Sequence, residues 1–323
     1  MRPKAIKTLL ESVLIQTKLP QQIIIVDGSM NNKTQDLISN LNLKLNVDYF
    51  LVDKANRGLT KQRNFGVSKV NDETELVSFL DDDIVLKPNY FEEINKTFLE
   101  NYNAIGVGGI DLEENGYFKM DPNMKYSKFN FYEIDGWVIK EPLRYKARKI
   151  FGLMPDLQPD LIPNYSHGRS GFPPNGKTYE VEHFMGGIAT YRKDLFSHIS
   201  FSSYFEGYGL YEDFDFCVRS LPFGKLYVNT NAKVWHYHEP SGRPNQFKYG
   251  KMVLRNGWYV WSQRFPKNTL IACFKWHATA FLLTQIRFLN IIKGPDRFGA
   301  FKEYLGRIVG WFSLWLNIPR MKK

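Results

Sequence analysis

The chain holds only two cysteines in 323 residues, Cys217 and Cys273. Two thiols so far apart build neither a disulfide framework nor a zinc site, and their scarcity fits a reducing cytosol. No apolar run follows the charges of Met1-Arg2-Pro3-Lys4, so no signal or transit peptide is expected. Long apolar runs are missing elsewhere too. The richest stretch, Leu270 to Ile292, is interrupted by Lys275, His277, Gln285 and Arg287 and is too polar for a spanning helix. There is no internal repeat and no low-complexity tract. A net charge of +10 comes without a dense basic helix or a recognisable binding module, which argues against nucleic acid as a partner. The same charge suits nucleotide diphosphates or acidic lipid headgroups. At 43% hydrophobic content the chain has enough apolar surface to fold.

What is present is an alternation of helix and strand patterns. Ile6, Leu9, Leu10, Val13 and Leu14 recur at helical spacing before the β-rich run Ile23 to Val26. Thr34 to Leu41 reads as helix, Tyr49 to Val52 as strand, Leu59 to Val67 as helix, and Leu76 to Leu80 as strand. Such alternation predicts an α/β fold with a mostly parallel sheet flanked by helices. Residues 113–180 lose the pattern and read as a loop-rich insertion. A helix near Tyr211 to Ser220 and a strand Leu226 to Trp235 restore it, and residues 247–323 read as a helical extension. Four segments result: 1–112, 113–180, 181–246 and 247–323.

Acids gather where the strands end. Asp27 follows one and Asp81-Asp82-Asp83 another, and ligands of open α/β sheets collect outside the carboxyl ends of strands. A bare triple acid is more often a solvated turn. Three adjacent carboxylates nevertheless repel one another unless a cation sits among them, and a hard divalent ion suits oxygen ligands. Gly186-Gly187 allows close backbone approach to a ligand, or simply a turn.

The ordered set of motifs resembles the family 2 glycosyltransferases. It comprises Arg2-Pro3, Leu9 to Leu14, Gln16-Thr17, Pro20 and Ile23 to Ser29; Asn56, Gly58, Gln62-Arg63-Asn64 and Gly66; Phe79 to Asp83; and Gly186-Gly187, Tyr191-Arg192 and Tyr211 to Asp215. The likeness covers residues 2 to 240 apart from the insertion, and Ser170-Gly171-Phe172 resembles a segment of bacterial surface-polysaccharide enzymes. It implies a GT-A fold that binds a nucleotide-sugar and transfers a hexosyl or deoxyhexosyl group, with inversion, to a glycan or lipid-linked acceptor.

By the same resemblance, Asp27 contacts the base or ribose and Asp81, with Asp82 beside it, handles the ribose. Asp83 binds Mn²⁺ or Mg²⁺, Arg63 lies near the diphosphate and Gly187 near the donor sugar. Asp213 is the expected catalytic base, since transfer to a hydroxyl requires its proton to be removed, and Glu212 orients the acceptor. His236 and His238 alternate at a strand end and face opposite sides; the Pro and Gly-Arg that follow favour His238 as a metal ligand. The family's usual first strand is not found before Arg2-Pro3, so a truncated homologue that binds without transferring is the competing expectation. For the extension, Trp258, Trp261, Trp311 and Trp315 with nearby Lys and Arg suit either peripheral contact with the inner face of the cell membrane or a helical subdomain.

Overall fold

The computed structural model describes residues 2–41, 45–205, 207–237 and 245–319. The chain divides into two units, Met1–Asn115 with Gly171–Ser241, and Gly116–Ser170 with Gly242–Lys323.

The first unit opens on α1 (Pro3–Leu14), whose proline suits a first turn because it lacks an N–H that would go unpaired there. β1 (Ile23–Asp27), α2 (Lys33–Asn40) and β2 (Val47–Leu51) follow, the two strands pairing in parallel. Then come α3 (Leu59–Val67), β3 (Leu76–Leu80), β4 (Ile84–Leu86), α4 (Tyr90–Glu100) and β5 (Ala104–Asp111). The second unit begins with β6 (Phe118–Lys119), β7 (Phe131–Ile134), β8 (Trp137–Lys140) and α5 (Leu143–Ile150). The chain re-enters the first unit for β9 (Thr178–Val181), β10 (Ile188–Arg192), α6 (Glu212–Ser220) and β11 (Lys225–His236). Asn115 Nδ2 donates to the Phe172 carbonyl at 2.8 Å, tying the point of departure to the point of return.

The main sheet has the order β3-β10-β5-β11-β4, with β9 also beside β11. It is mixed, which corrects the expectation of a mostly parallel sheet. Only β5 and β11 run parallel within it; β3–β10, β10–β5, β11–β4 and β11–β9 are antiparallel. Helix-strand alternation predicts parallel pairing only between strands joined by a helical crossover. β10 instead arrives after residues 116–170 and inserts between β3 and β5, opposed to both. One face of the sheet packs on α1 and α4 through Leu9, Val13, Tyr90, Ile94 and Phe98. The opposite face carries an aromatic cluster in which Phe201 stacks on Phe216 at 4.2 Å and meets Phe79 edge-on at 5.1 Å.

In the second unit β6, β8 and β7 form a three-stranded antiparallel sheet. Strands of two to four residues are too short for periodicity to reveal. The buried Glu141 carboxylate takes a two-pronged ion pair from Arg169 at 2.8 and 3.0 Å and a further contact from Lys149 at 2.6 Å. The C-terminal helices are α7 (Gln246–Arg264), α8 (Leu270–Lys293) and α9 (Arg297–Leu316). α7 and α9 approach closely, Gly250 lying against the Glu303 backbone and Gly306 against the Phe247 carbonyl. Trp261 and Trp276 are fully buried and pack with Trp258, so these side chains build a helical core, while Trp315 is 69% exposed. No described helix is long and apolar enough to cross a membrane.

Candidate active site

Two antiparallel ladders assemble the acidic residues. In the first, Leu80 pairs with Ile188, so the chain beyond β3 meets the chain before β10. The Asp81 amide donates to the Gly187 carbonyl at 3.0 Å. A side chain at position 187 has no room, because its Cβ would stand 2.5 Å from Asp81 Oδ2. Glycine there is what lets the carboxylate lie across the strand entry. In the second ladder Ile84 pairs with His236, and the Tyr237 amide donates to the Asp83 carbonyl at 3.1 Å. That register sets His236 Nε2 3.2 Å from Asp83 Oδ1. Asp111 fixes the histidine backbone by accepting from its amide at 3.2 Å.

Helix α6 brings the second pair of acids. It is entered through Tyr211, whose φ of 70° places a bulky residue in the left-handed region. Asp213 sits in the first turn, where a negative charge is favoured by the helix dipole. Its Oδ2 accepts from the Gly186 amide at 3.1 Å and its Oδ1 from the Phe214 amide at 2.8 Å. The side chain remains partly exposed, whereas Glu212 is buried. Asp215, two positions on, is buried and bound to Arg219 at 2.6 Å. At Gly186 an added Cβ would fall 2.7 Å from Asp213 Cβ and 2.9 Å from Arg63 Nη1, so the Gly186-Gly187 pair abuts both acidic groups.

Arg63, from α3, joins them. Its Nη1 lies 2.6 Å from Glu212 Oε1 and its Nη2 3.6 Å from Asp81 Oδ1. Phe79 and Phe201 cover the guanidinium at 5.5 and 5.2 Å. Burial pushes the Glu212 carboxyl up to about 8 against the pull of Arg63, with Asp213 and Asp81 adding to the rise. Burial also raises Asp213 above the ordinary aspartate range, although the Gly186 and Phe214 amides oppose it.

Asp81, Asp83 and His236 offer ligand atoms that all lie within 4.8 Å of one another. Two carboxylates and an imidazole form a donor set that a divalent transition ion such as Mn²⁺ fits, with Mg²⁺ the harder alternative. Burial works against the His236 imidazolium, yet its hydrogen bond to Asp83 and the charge of that carboxylate raise its pKa. Arg2 faces the same cluster: its Nη1 reaches Asp83 Oδ2 at 2.8 Å, its Nε reaches Asp82 Oδ2 at 3.1 Å, and its Nη2 pairs with Asp82 Oδ1.

The structure therefore brings together Arg63, Asp81, Gly187, Glu212 and Asp213, and holds Asp82 and Asp83 beside Arg2 and His236. His238 lies outside the described residues. Asp27 is fully buried at the end of β1, its oxygens accepting from the Tyr49 hydroxyl at 2.7 Å and the Ser29 amide at 2.6 Å. Sequence reasoning placed Arg63 near a diphosphate and did not foresee its ion pair with Glu212, nor the grip of Arg2 on the acidic cluster. The one signal for His236 was its alternation with His238 at a strand end.

The sequence pattern of the Glycosyl transferase family 2 matches residues 1–199, more than half of the chain. No curated protein matches it. Similar solved structures include S. aureus TarS 1-349, at 15% identity over 97% of this chain and 88% of that one, with a TM-score of 0.45. The same protein in complex with UDP-GlcNAc gives 14% identity over 98% and 89%, with a TM-score of 0.43. GalNAc-T7 with UDP, GalNAc and Mn²⁺ gives 15% identity over 80% of this chain and 47% of that one, with a TM-score of 0.49.

Proposed function

Because this chain belongs to glycosyltransferase family 2 and has its GT-A fold, we propose that it moves a hexosyl or deoxyhexosyl group from a nucleotide-diphosphate sugar to a hydroxyl. The acceptor is a glycan or lipid-linked glycan of the bacterial surface-polysaccharide kind, and the anomeric carbon is inverted. The observation that carries this reading is the convergence of Asp81, Arg63, Glu212 and Asp213 on Gly186-Gly187, from segments 149 residues apart in the case of Arg63 and Glu212. Nothing about sheet packing requires four ionisable groups at one strand entry, and a donor-acceptor site does.

In this reading residues 1–112 form the donor half, 181–246 the half bearing the base, and 113–180 contribute to the acceptor side. Asp213 takes the proton of the acceptor hydroxyl as the new C–O bond forms. The bond from the anomeric carbon to the diphosphate oxygen breaks on the opposite side, and the nucleoside diphosphate leaves with the electron pair. The backbone amides of Gly186 and Phe214 fix the Asp213 carboxylate in place before the acceptor arrives. Arg63 holds Asp81 and Glu212 in register so that donor and acceptor meet at one distance. Asp27 shapes the base or ribose side, and Asp81 with Asp82 the ribose. Asp83 and His236, with Asp81, are the residues that would hold Mn²⁺ or Mg²⁺, which when bound neutralises the charge that develops on the leaving diphosphate.

The test is Asp213→Asn assayed with a panel of nucleotide-sugars. Transfer falls by about 10²- to 10⁴-fold while nucleotide binding persists. Wild-type turnover in this variant would remove Asp213 from the base role.

A further inference from the structure

The net positive charge of the protein comes from one end of the sequence. Residues 247–323 contain 14 basic and 2 acidic residues, whereas residues 1–246 carry a net charge of −2. Neither acid of the C-terminal segment offers an unengaged carboxylate at the surface. Asp296 caps α9 by accepting from the Gly299 amide at 2.8 Å. Glu303 is buried between Arg287 and Arg307, each at 2.7 Å. Among the described residues of α8, α9 and their flanks, Lys267, Arg297 and Lys302 are the exposed charges besides the capping Asp296.

The same two helices leave apolar side chains in solvent, and they do so at helical spacing. Leu270, Phe274, Phe281, Phe288 and Ile292 fall on one stripe of α8, with exposures from 42% to 90%. Phe298, Phe301, Leu305, Phe312 and Trp315 fall on one stripe of α9, opposite the face of Gly306, Gly310 and Leu314 that packs on α7. α8 and α9 run antiparallel, since His277 stacks on Trp315, Phe281 meets Trp311 and Phe288 meets Tyr304. Each stripe borders that line of contact, and for two right-handed helices running in opposite directions both turn to the same side of the hairpin. The result is one continuous apolar face. Lys302 lies at its border, with Nζ 4.1 Å over the Phe298 ring.

We propose that this α8–α9 face docks the protein on an anionic lipid bilayer, lying in the plane of the headgroups. Aromatic and aliphatic side chains enter the acyl boundary while the bordering Lys and Arg meet lipid phosphates, the arrangement by which amphipathic helices bind membrane surfaces. A second copy of the chain seated face to face is the poorer occupant, because it would set one basic face against another with Asp296 as the one exposed acid among the described residues of these helices and their flanks. Nucleic acid would leave the apolar stripes uncovered. The inference stands independently of the proposed transfer chemistry.

The experiment is co-sedimentation of the full chain with vesicles of phosphatidylcholine alone and of equal parts phosphatidylcholine and phosphatidylglycerol, with no donor or acceptor added. Binding to the anionic vesicles and little to the neutral ones is expected. Replacing Lys267, Arg297 and Lys302 with Gln should weaken binding by about 100-fold, at roughly fivefold per cation. The exposed triple variant Leu270→Ser, Phe274→Ser and Phe312→Ser should abolish binding and keep the wild-type melting profile. Wild-type protein left in the supernatant of anionic vesicles, or equal binding by either variant, overturns the proposal. So does a lipid-free dimer in sedimentation velocity that the triple Ser variant dissociates, since the face would then belong to a second copy.

Discussion

Arg63→Met removes the cation that stands between Glu212 and Asp81. The guanidinium side chain is 9% exposed and its partner Glu212 5%, so the contact is shielded from solvent. Breaking a buried pair by deleting one partner costs about 3–5 kcal/mol, because the other charge is left without compensation. Here there is an escape. Burial already sets the Glu212 carboxyl at about 8 with Arg63 in place, so a proton can replace the lost cation at modest pH. A carboxyl raised in the folded state above its unfolded value binds more protons folded than unfolded, and its contribution to stability therefore falls as pH rises between the two values. Without Arg63 the folded value climbs further and that loss continues to higher pH. The cost of Arg63→Met is thus about 1–2 kcal/mol near pH 6, from the hydrogen bond and the stacking on Phe79 and Phe201, and approaches 3–5 kcal/mol near pH 9. Urea unfolding of wild type, Arg63→Met, Glu212→Gln and the double variant across this range reads the difference. The double variant should recover most of the stability lost at high pH, since removing both charges is close to neutral. A cost independent of pH, or a double variant no more stable than Arg63→Met, would refute the reasoning.

Three further outcomes are expected. Gly187→Ala drives a methyl to 2.5 Å from Asp81 Oδ2; displacing that carboxylate by about 1 Å lowers kcat/KM by roughly 100-fold with little change in urea midpoint, and unchanged kinetics would show that Asp81 need not lie where it does. Asp83→Ala weakens Mn²⁺-dependent nucleotide binding, read by calorimetric titration with and without Mn²⁺; an identical titration would take Asp83 out of the metal set. With Asp213 as the proposed base, which must be ionised to act, and its pKa raised by burial, the acid limb of kcat/KM lies above the ordinary aspartate range and activity is lost as pH falls through it; a limb at the value of an exposed aspartate would contradict the burial argument.

The elements that lead to Arg63 and Asp81 were legible because their residues announce them. Leu59 to Val67 follows Gly58 and matches α3, and Leu76 to Leu80 is an apolar run broken only by Ser78 that matches β3. β5 was not legible, for Gly106, Gly108 and Gly109 supply no side-chain pattern to a strand that is buried along its whole length. The position of β10 was equally hidden, since insertion between β3 and β5 is a matter of tertiary pairing. At the site, the types of residue were readable and their partners were not. A triple acid, an Arg-Asn pair and a Glu-Asp pair stand out in the sequence. That Arg63 would meet Glu212 across the fold depends on how α3 and α6 pack against the sheet, and that His236 would face Asp83 depends on the pairing of His236 with Ile84.

The bond from Asn115 to the Phe172 carbonyl has a consequence for how such a protein can change. Residues 116–170 leave the first unit and re-enter it through a single doorway, so their length and shape are decoupled from the strand registers that align Asp81 with Gly187 and Asp83 with His236. Closing a longer or shorter loop across fixed ends alters the free energy only logarithmically, by about 0.6 kcal/mol per doubling. New segments can be spliced at that doorway without disturbing those registers, which makes it the natural place for such a chain to vary in length.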